Sequence, residues 1–335
     1  MRLLRLHLVL LCSMLFVSSA SAQSAAYSKP AGFVTHILKA QQLNLIGLTL
    51  HEPVVYSGSF DEVEGLILRD INADYDAALT SGNSYVLEIV DNPTDPSLNG
   101  VIQVITDWTA QEITTTEDLT ADGPVAGLAA GAKYNLRAPK TISDVFGSSN
   151  SAGLTAGANM ASADVIWLHN GLGFDKFYYS EGGGFGGGEA GWKDHGGADA
   201  GDFPIIYTDA VIIQNKALTD KKLVVSGVVK TKAVTLMLME NKFNFISSTY
   251  PVGSTLGNSG LEAALIGDVE KDSSIVVWMP NGEGGYDRYY YSTEGWKDEH
   301  GQPASETLLT SGIIIERIGD NEYAKLTPPE AYNDL

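Results

Sequence analysis

The chain has 335 residues, of which 44% are hydrophobic and 19% charged, which excludes a disordered or fibrous polymer and allows one large domain or two to three ordinary ones. Lys and Arg total 21 against 41 Asp and Glu, a formal net charge of −20. Such a surface repels DNA and RNA, so nucleic-acid binding is excluded as a function class.

At the N-terminus, Arg2 and Arg5 precede an apolar run over 8–17 and then Ala20-Ser21-Ala22. This three-part pattern predicts a secretory signal peptide over 1–22, cleaved after Ala22, and an exported protein in the periplasm, at the cell surface or outside the cell. Cys12, the only cysteine, leaves with that segment, so the mature chain is expected to hold neither disulfides nor thiolate metal sites. No later stretch nears the roughly 20 apolar residues of a membrane-spanning helix, and no transmembrane segment is expected after signal removal.

Further along, the chain repeats itself. Val34, Thr35, Leu38, Asn44 and Ile46 recur 200 positions later as Val234, Thr235, Leu238, Asn244 and Ile246. Trp167, Asn170, Gly171, Asp175, Lys176, Tyr178, Tyr179, Trp192, Lys193 and Asp194 recur as Trp278, Asn281, Gly282, Asp287, Arg288, Tyr290, Tyr291, Trp296, Lys297 and Asp298. The offset at Trp167 and Trp278 is only 111, so the first copy carries 89 residues that the second lacks. This predicts a first β module over 23–230 with a β-rich insertion at about 54–143, a second β module over 231–320 and a C-terminal tail over 321–335.

Short runs of β-branched and aromatic residues between Gly, Asn, Asp and Pro clusters predict the strands. They fall at 65–68, 85–90, 101–105 and 133–136 in the insertion, and elsewhere at 165–168, 176–179, 210–214, 223–230, 234–238, 243–247, 275–278, 288–291 and 313–318. The expected fold class is all-β, with duplicated antiparallel modules of sandwich-like or barrel-like form. One short helix is expected after Ser259, which stands at capping-box spacing from Glu262.

Trp192, Tyr178, Trp296 and Tyr290 are the candidate ligand-binding residues, because Trp and Tyr offer broad apolar faces with a polar edge for stacking on sugar rings. The competing reading is that a repeated framework needs the same aromatics twice to fill two cores. Asp70, Asn72, Asp74 and Asp76 alternate like the start of a calcium loop, but Tyr75 stands where that loop turns on glycine and Ser81 where it needs a glutamate. A solvated turn is expected there, with no metal site and no cofactor beyond weak surface calcium at acidic loops such as those of Asp91, Asp194, Asp199 and Asp202. Gly257-Asn258-Ser259-Gly260 has a serine-protease look without a matching histidine context, and capping accounts for Ser259. His36, His51, His169, His195 and His300 form no zinc-binding pair. No catalytic residue is assigned, and the shared Asp194 and Asp298 read as structural.

The signal-like N-terminus, the Phe177-Tyr178-Tyr179 and Tyr289-Tyr290-Tyr291 strands followed by Gly-Trp-Lys, and the Ile313-Ile314-Ile315 strand together resemble a family of secreted bacterial proteins of unknown function. The resemblance covers most of the mature chain, implies export and β structure, and supplies no catalytic residues. The expected function is a non-enzymatic surface or extracellular module that binds glycan or cell-envelope components. The main rival is a secreted polysaccharide hydrolase with paired carboxylates. An outer-membrane barrel fits less well, because sustained ten-residue alternations and a terminal aromatic are missing.

Overall fold

β-branched and aromatic residues at alternate positions favour extended backbone with one face buried, and the computed structural model is accordingly all-β. It describes residues 30–120, 127–183, 188–239, 241–264, 276–317 and 322–335. The export signal read over 1–22, with Cys12, lies outside the described residues, as do residues 184–187 of the glycine-rich excursion. Among the described residues no helix is long and apolar enough to cross a membrane.

The chain opens with β1 (Ala31–Leu38), β2 (Gln42–Gly47) and β3 (Leu50–His51). An inserted portion follows: β4 (Val54–Ser59), β5 (Glu62–Glu64), β6 (Ile67–Arg69), helix α1 (Tyr75–Ala78), β7 (Tyr85–Asp91), β8 (Ile102–Trp108), β9 (Glu112–Thr115) and β10 (Lys133–Arg137). Then come β11 (Lys140–Thr141), helix α2 (Ile142–Phe146), β12 (Val165–His169), β13 (Phe174–Ser180), β14 (Gly191–Asp194), β15 (Pro204–Ile205), β16 (Ala210–Asn215) and β17 (Lys221–Val229). The remainder supplies β18 (Val234–Leu238), β19 (Lys242–Ser247), β20 (Val276–Pro280), β21 (Tyr286–Ser292), β22 (Gly295–Asp298), β23 (Gly312–Arg317) and β24 (Glu322–Leu326).

Two five-stranded sheets share one strand order, β2-β16-β12-β13-β14 and β19-β23-β20-β21-β22, every neighbouring pair antiparallel. Their registers agree as well: Tyr179 stands opposite Trp192 as Tyr291 stands opposite Trp296. Each sheet packs against a smaller one, β1-β17-β3 in the first half and β18-β24 in the second. Leu38, Leu223 and Val225 meet Ile46, Ile166, Phe177, Trp192 and Ile213 in one core. Leu236, Leu238 and Leu326 meet Ile246, Val277, Trp296 and Ile315 in the other. Neither arrangement closes into a barrel, since β2, β14, β19 and β22 remain sheet edges.

The hairpins that carry the chain from one layer to the next are built alike. Gln41 and Asn241 both take positive φ, 55° and 50°, and the following Asn locks each turn. Asn44 Oδ1 accepts from Lys39 N–H and its Nδ2 donates to Lys39 O, while Asn244 makes the same two bonds with Met239. This is the physical content of the recurring asparagine.

The inserted strands form a seven-stranded sheet of their own, β4-β10-β7-β8-β9-β6-β5, over a separate core that includes Phe60, Leu87, Ile89, Leu98 and Leu136. Helix α2 instead packs into the first sandwich through Ile142, Val145 and Phe146. At the joint, Glu88 of β7 accepts from Arg137 Nε at 3.1 Å and from Lys230 Nζ, which lies just beyond β17, and all three side chains are buried.

Two local expectations are revised. Among the described residues the helix expected after Ser259 is a 3₁₀ turn, Leu261–Ala264, whose Leu261 N–H donates to Ser259 Oγ, and residues 265–275 lie outside the described residues. Residues 322–326, assigned above to a C-terminal tail, are β24, paired antiparallel with β18 over a buried Ala324 and Leu326. The mixed composition of Glu322–Leu326 hides this strand from propensity, and its partner supplies the reason it is extended.

Candidate binding groove

Of the four aromatic candidates, both tryptophans are core residues. Trp192 and Trp296 are 3% and 2% exposed, so neither offers a ring face to a ligand. Trp192 packs edge-on against Tyr179 and donates its Nε1–H to Gly147 O at 2.8 Å. Trp296 packs against Tyr291 in the same way, but its buried Nε1 has no partner among the described residues. Tyr178 and Tyr290 sit on the opposite sheet face, cross-strand from Lys193 and Lys297; Tyr178 is buried and Tyr290 half-buried.

The repeated aspartates close the loops that follow. Asp194 Oδ1 accepts from Gly196 and Ala198 N–H, and Asp298 Oδ1 from His300 and Gln302 N–H. Asp70 is buried and accepts from Tyr134 Oη at 2.8 Å, while Asp74 caps α1 by accepting from Ala77 N–H. Two of the three carboxylates of the calcium-like pattern thus serve a tyrosine network and a helix cap. Ser259 is buried and donates to Leu256 O.

The tryptophans that face away from the cores are Trp167 and Trp278. Across the first large sheet, Leu45, Ile212, Trp167 and Lys176 stand in one register row; across the second, Phe245, Ile314, Trp278 and Arg288 do. Lys176 Nζ lies 4.0 Å from the Trp167 ring centre and the Arg288 guanidinium 5.4 Å from that of Trp278. Trp278 Nε1 also donates to Glu316 at 3.2 Å. Lys/Arg at the cross-strand position was visible in the sequence; which tryptophan of each copy faces outward was not.

These outward faces meet where the halves touch. Leu45, Ala210 and Ile212 are buried against Trp167, Phe174, Phe245 and Ile314. Backbones approach so closely there that a Cβ on Gly47 would fall 2.0 Å from Ser311 O, and one on Gly312 would fall 2.8 Å from Ile46 C. On one side of the contact, Phe174, His169 and Phe245 fill the space with ring centres 5.1–5.3 Å apart. On the other, Leu45 replaces the phenyl ring, and a groove of about 410 Å³ opens between residues 37–46 and the β20–β21 turn.

Leu43, Leu45, Ile37, Pro280 and Tyr286 give this groove apolar walls, and Lys39, Gln41 and Gln42 give it a polar rim. Tyr286 continues it into an apolar hollow of about 220 Å³ bounded by Phe243, Trp278 and Ile314. Among the described residues no carboxylate lines either space. Burial raises the Tyr286 phenol, which keeps it neutral and able to donate a hydrogen bond.

Elsewhere, a smaller cavity of about 230 Å³ is lined by Ser84, Tyr85, His169, Asn170, Asp175 and Asp209. Burial pushes Asp209 up to about 7, and among the described residues its carboxylate accepts from Thr208 Oγ1 alone, at 3.4 Å. Asp175 accepts from Asn170 Nδ2 at 3.1 Å. Among the described residues no cluster of three His, Cys, Asp or Glu is spaced to hold a metal ion.

Two buried histidines make the fold acid-sensitive. Burial pushes His36 and His51 down to about 4, with the Arg137 guanidinium adding to the effect at His51. The unfolded chain accepts these protons near 6.5 and the folded chain resists them until about 4. The histidines' contribution to stability is therefore whole above pH 6.5, falls as pH drops toward 4 and levels off below. A loss of about 2–3 kcal/mol per histidine is expected. Asp209 acts in the opposite sense over nearly the same range, so urea unfolding should be followed in Asp209→Asn, with and without His51→Gln. The acid loss should shrink in the His51→Gln background, and an unchanged loss would exclude His51 as its source.

No family model matches the chain, and neither a curated protein nor a solved structure matches it.

Proposed function

We propose that this chain is an exported, non-enzymatic binding module whose ligand lies in the groove between the two large sheets. The observation that carries the reading is the pairing of aromatic and aliphatic walls with an amide and ammonium rim, continuous from Gln42 to Trp278 through Tyr286. Flat apolar rings with neighbouring amides suit the alternating C–H faces and hydroxyl edges of a sugar, so the ligand class is a glycan such as those of the cell envelope. Among the described residues that line the groove none is a carboxylate, whereas glycoside hydrolysis requires two that converge.

Titration of the protein against a glycan panel tests this. Tyr286→Ala and Gln42→Ala are expected to weaken binding of the captured glycan by about tenfold or more, near 1.4 kcal/mol each, with thermal unfolding unchanged. Binding that survives both changes would move the ligand elsewhere.

The hydrolase reading has one observation in its favour, the elevated Asp209 beside Asp175 in the smaller cavity. It requires polysaccharide cleavage that disappears in Asp209→Asn. The same panel, read for released sugar, decides between the two.

A further inference from the structure

The two halves of the molecule treat one equivalent strand edge differently. In the second half, the outer edge of β18 is covered by the inserted portion of the chain. Thr235 N–H donates to Gly100 O at 2.9 Å, Thr235 Oγ1 donates to Asn99 O at 3.0 Å, and Val101 bridges to Thr235 in parallel. The backbones are close enough that a Cβ on Gly100, at φ +97°, would lie 2.6 Å from Ala233 O. A strand edge of this kind holds a row of N–H and C=O groups that another backbone can satisfy.

Thr35 is the counterpart of Thr235, and β1 pairs with β17 as β18 pairs with β24. Val229 N–H donates to Pro30 O, which fixes the phase of that ladder. Residues 32, 34 and 36 exchange bonds with β17, while Phe33, Thr35 and Ile37 turn their N–H and C=O groups outward. Among the described residues nothing bonds to these outward groups. The flanking side chains are also more apolar than at the covered edge. Phe33 is 73% exposed, Ile37 45% and Val224 56%, where the second half has Ala233, Met237 and Lys325.

We propose that the open edge of β1 is an interface with β1 of a second copy of this chain, antiparallel and two-fold symmetric about Thr35. That register places Thr35 opposite its own symmetry mate and Phe33 opposite Ile37, so every outward N–H and C=O finds a partner. It joins two three-stranded sheets into one of six strands and stacks the Phe33 ring on the Ile37 side chain. An extended peptide of unrelated sequence would satisfy the backbone but would not supply the matched apolar pair on both sides of the axis. The formal charge of −20 per chain opposes association, so screening favours the dimer.

Sedimentation velocity on the purified protein tests this. A monomer–dimer equilibrium with a Kd on the order of 10–100 μM is expected for so small an interface. It should tighten several-fold between about 0.1 M and about 0.5 M NaCl. Thr35→Pro removes the central outward N–H without touching the β17 ladder, and Phe33→Lys places a charge at an exposed position. Each should leave a monomer with an unchanged melting temperature, and if Thr35→Pro fails to fold, Phe33→Lys decides alone. The proposal is overturned by a chain that stays monomeric up to about 300 μM at both salt levels. It is equally overturned by a dimer indifferent to Phe33→Lys, or by a synthetic peptide of residues 97–103 that adds to the edge of a persistent monomer.

Discussion

Glu88→Ala is expected to cost about 3–5 kcal/mol of unfolding free energy. Burial by itself would raise the Glu88 carboxyl, but Lys230 and Arg137 outweigh it and hold the group below the usual carboxylate range, so it is ionised between two cations. Arg137 also donates to Glu52 O at 3.0 Å, and the His51 and Tyr207 rings pack at a tilt beside it, their centres 5.4 Å apart. Removing the carboxylate leaves an ammonium and a guanidinium buried without a counter-charge, in a place where neither can reach water. Because Glu88 and Arg137 belong to the inserted sheet and Lys230 to the sandwich, the loss falls on the joint between them. Chemical denaturation should show the cost as a lower midpoint. A triple replacement of Glu88, Arg137 and Lys230 by apolar residues of similar volume should recover most of it. If Glu88→Ala costs less than 1 kcal/mol, on the order of an exposed ion pair, the joint is wetter than its geometry indicates.

Trp192→Ala and Trp296→Ala should each cost about 3–5 kcal/mol, because a full indole leaves a cavity that close-packed sheets cannot collapse to fill. The conservative changes separate the two sites. Trp192→Phe strips the donor from Gly147 O and should cost roughly 1 kcal/mol more than Trp296→Phe, whose indole N–H has no described partner to lose. Urea unfolding of the four variants measures this, and equal costs for the two phenylalanine variants would show that the Gly147 bond contributes little. These experiments also separate packing from recognition. Unfolded alanine variants agree with core roles, whereas folded variants that lose a glycan would place recognition at the Gly-Trp-Lys segments rather than in the groove.

Much of the strand content is legible in the sequence because the segments follow simple rules. Runs such as Val165–Leu168 and Ile313–Ile315 are too rich in β-branched and aromatic residues and too short for helices, with Asn170 just after the first and Gly312 just before the second. The recurring Asn44 and Asn244 are equally readable, since a side chain that locks a left-handed turn leaves little choice of residue. The orientation of the aromatics is not readable, and the reason is local. In β23 three consecutive isoleucines erase the alternation that assigns faces, because the outward face at Ile314 is itself covered by the neighbouring half. The phase that puts Trp278 outward and Trp296 inward appears only once Trp278 is seen opposite Ile314 and Arg288.

The groove and the charged joint are illegible for a different reason. Residues 41–46 and 280–286 lie more than 200 positions apart, and although Asn44 and Asn281 belong to the repeats no motif joins the two segments, which converge through the contact at Gly47 and Gly312. Likewise His51, Glu88, Arg137 and Lys230 look like ordinary polar residues until β3, β7, β10 and the end of β17 bury them together. Exposed and buried ionisable groups share one alphabet, and only tertiary placement separates them.

The glycine contact between the halves has a consequence for how recognition could diversify. Backbone rests on backbone at Gly47 and Gly312, so the spacing of the two sheets is set by atoms that no substitution can trim. Selection for a wider or narrower ligand can act on Leu45, Gln42 or Tyr286 one at a time, while the frame behind them keeps its gauge. A methyl group added at position 312 would act as a wedge instead, altering every crossing distance at once.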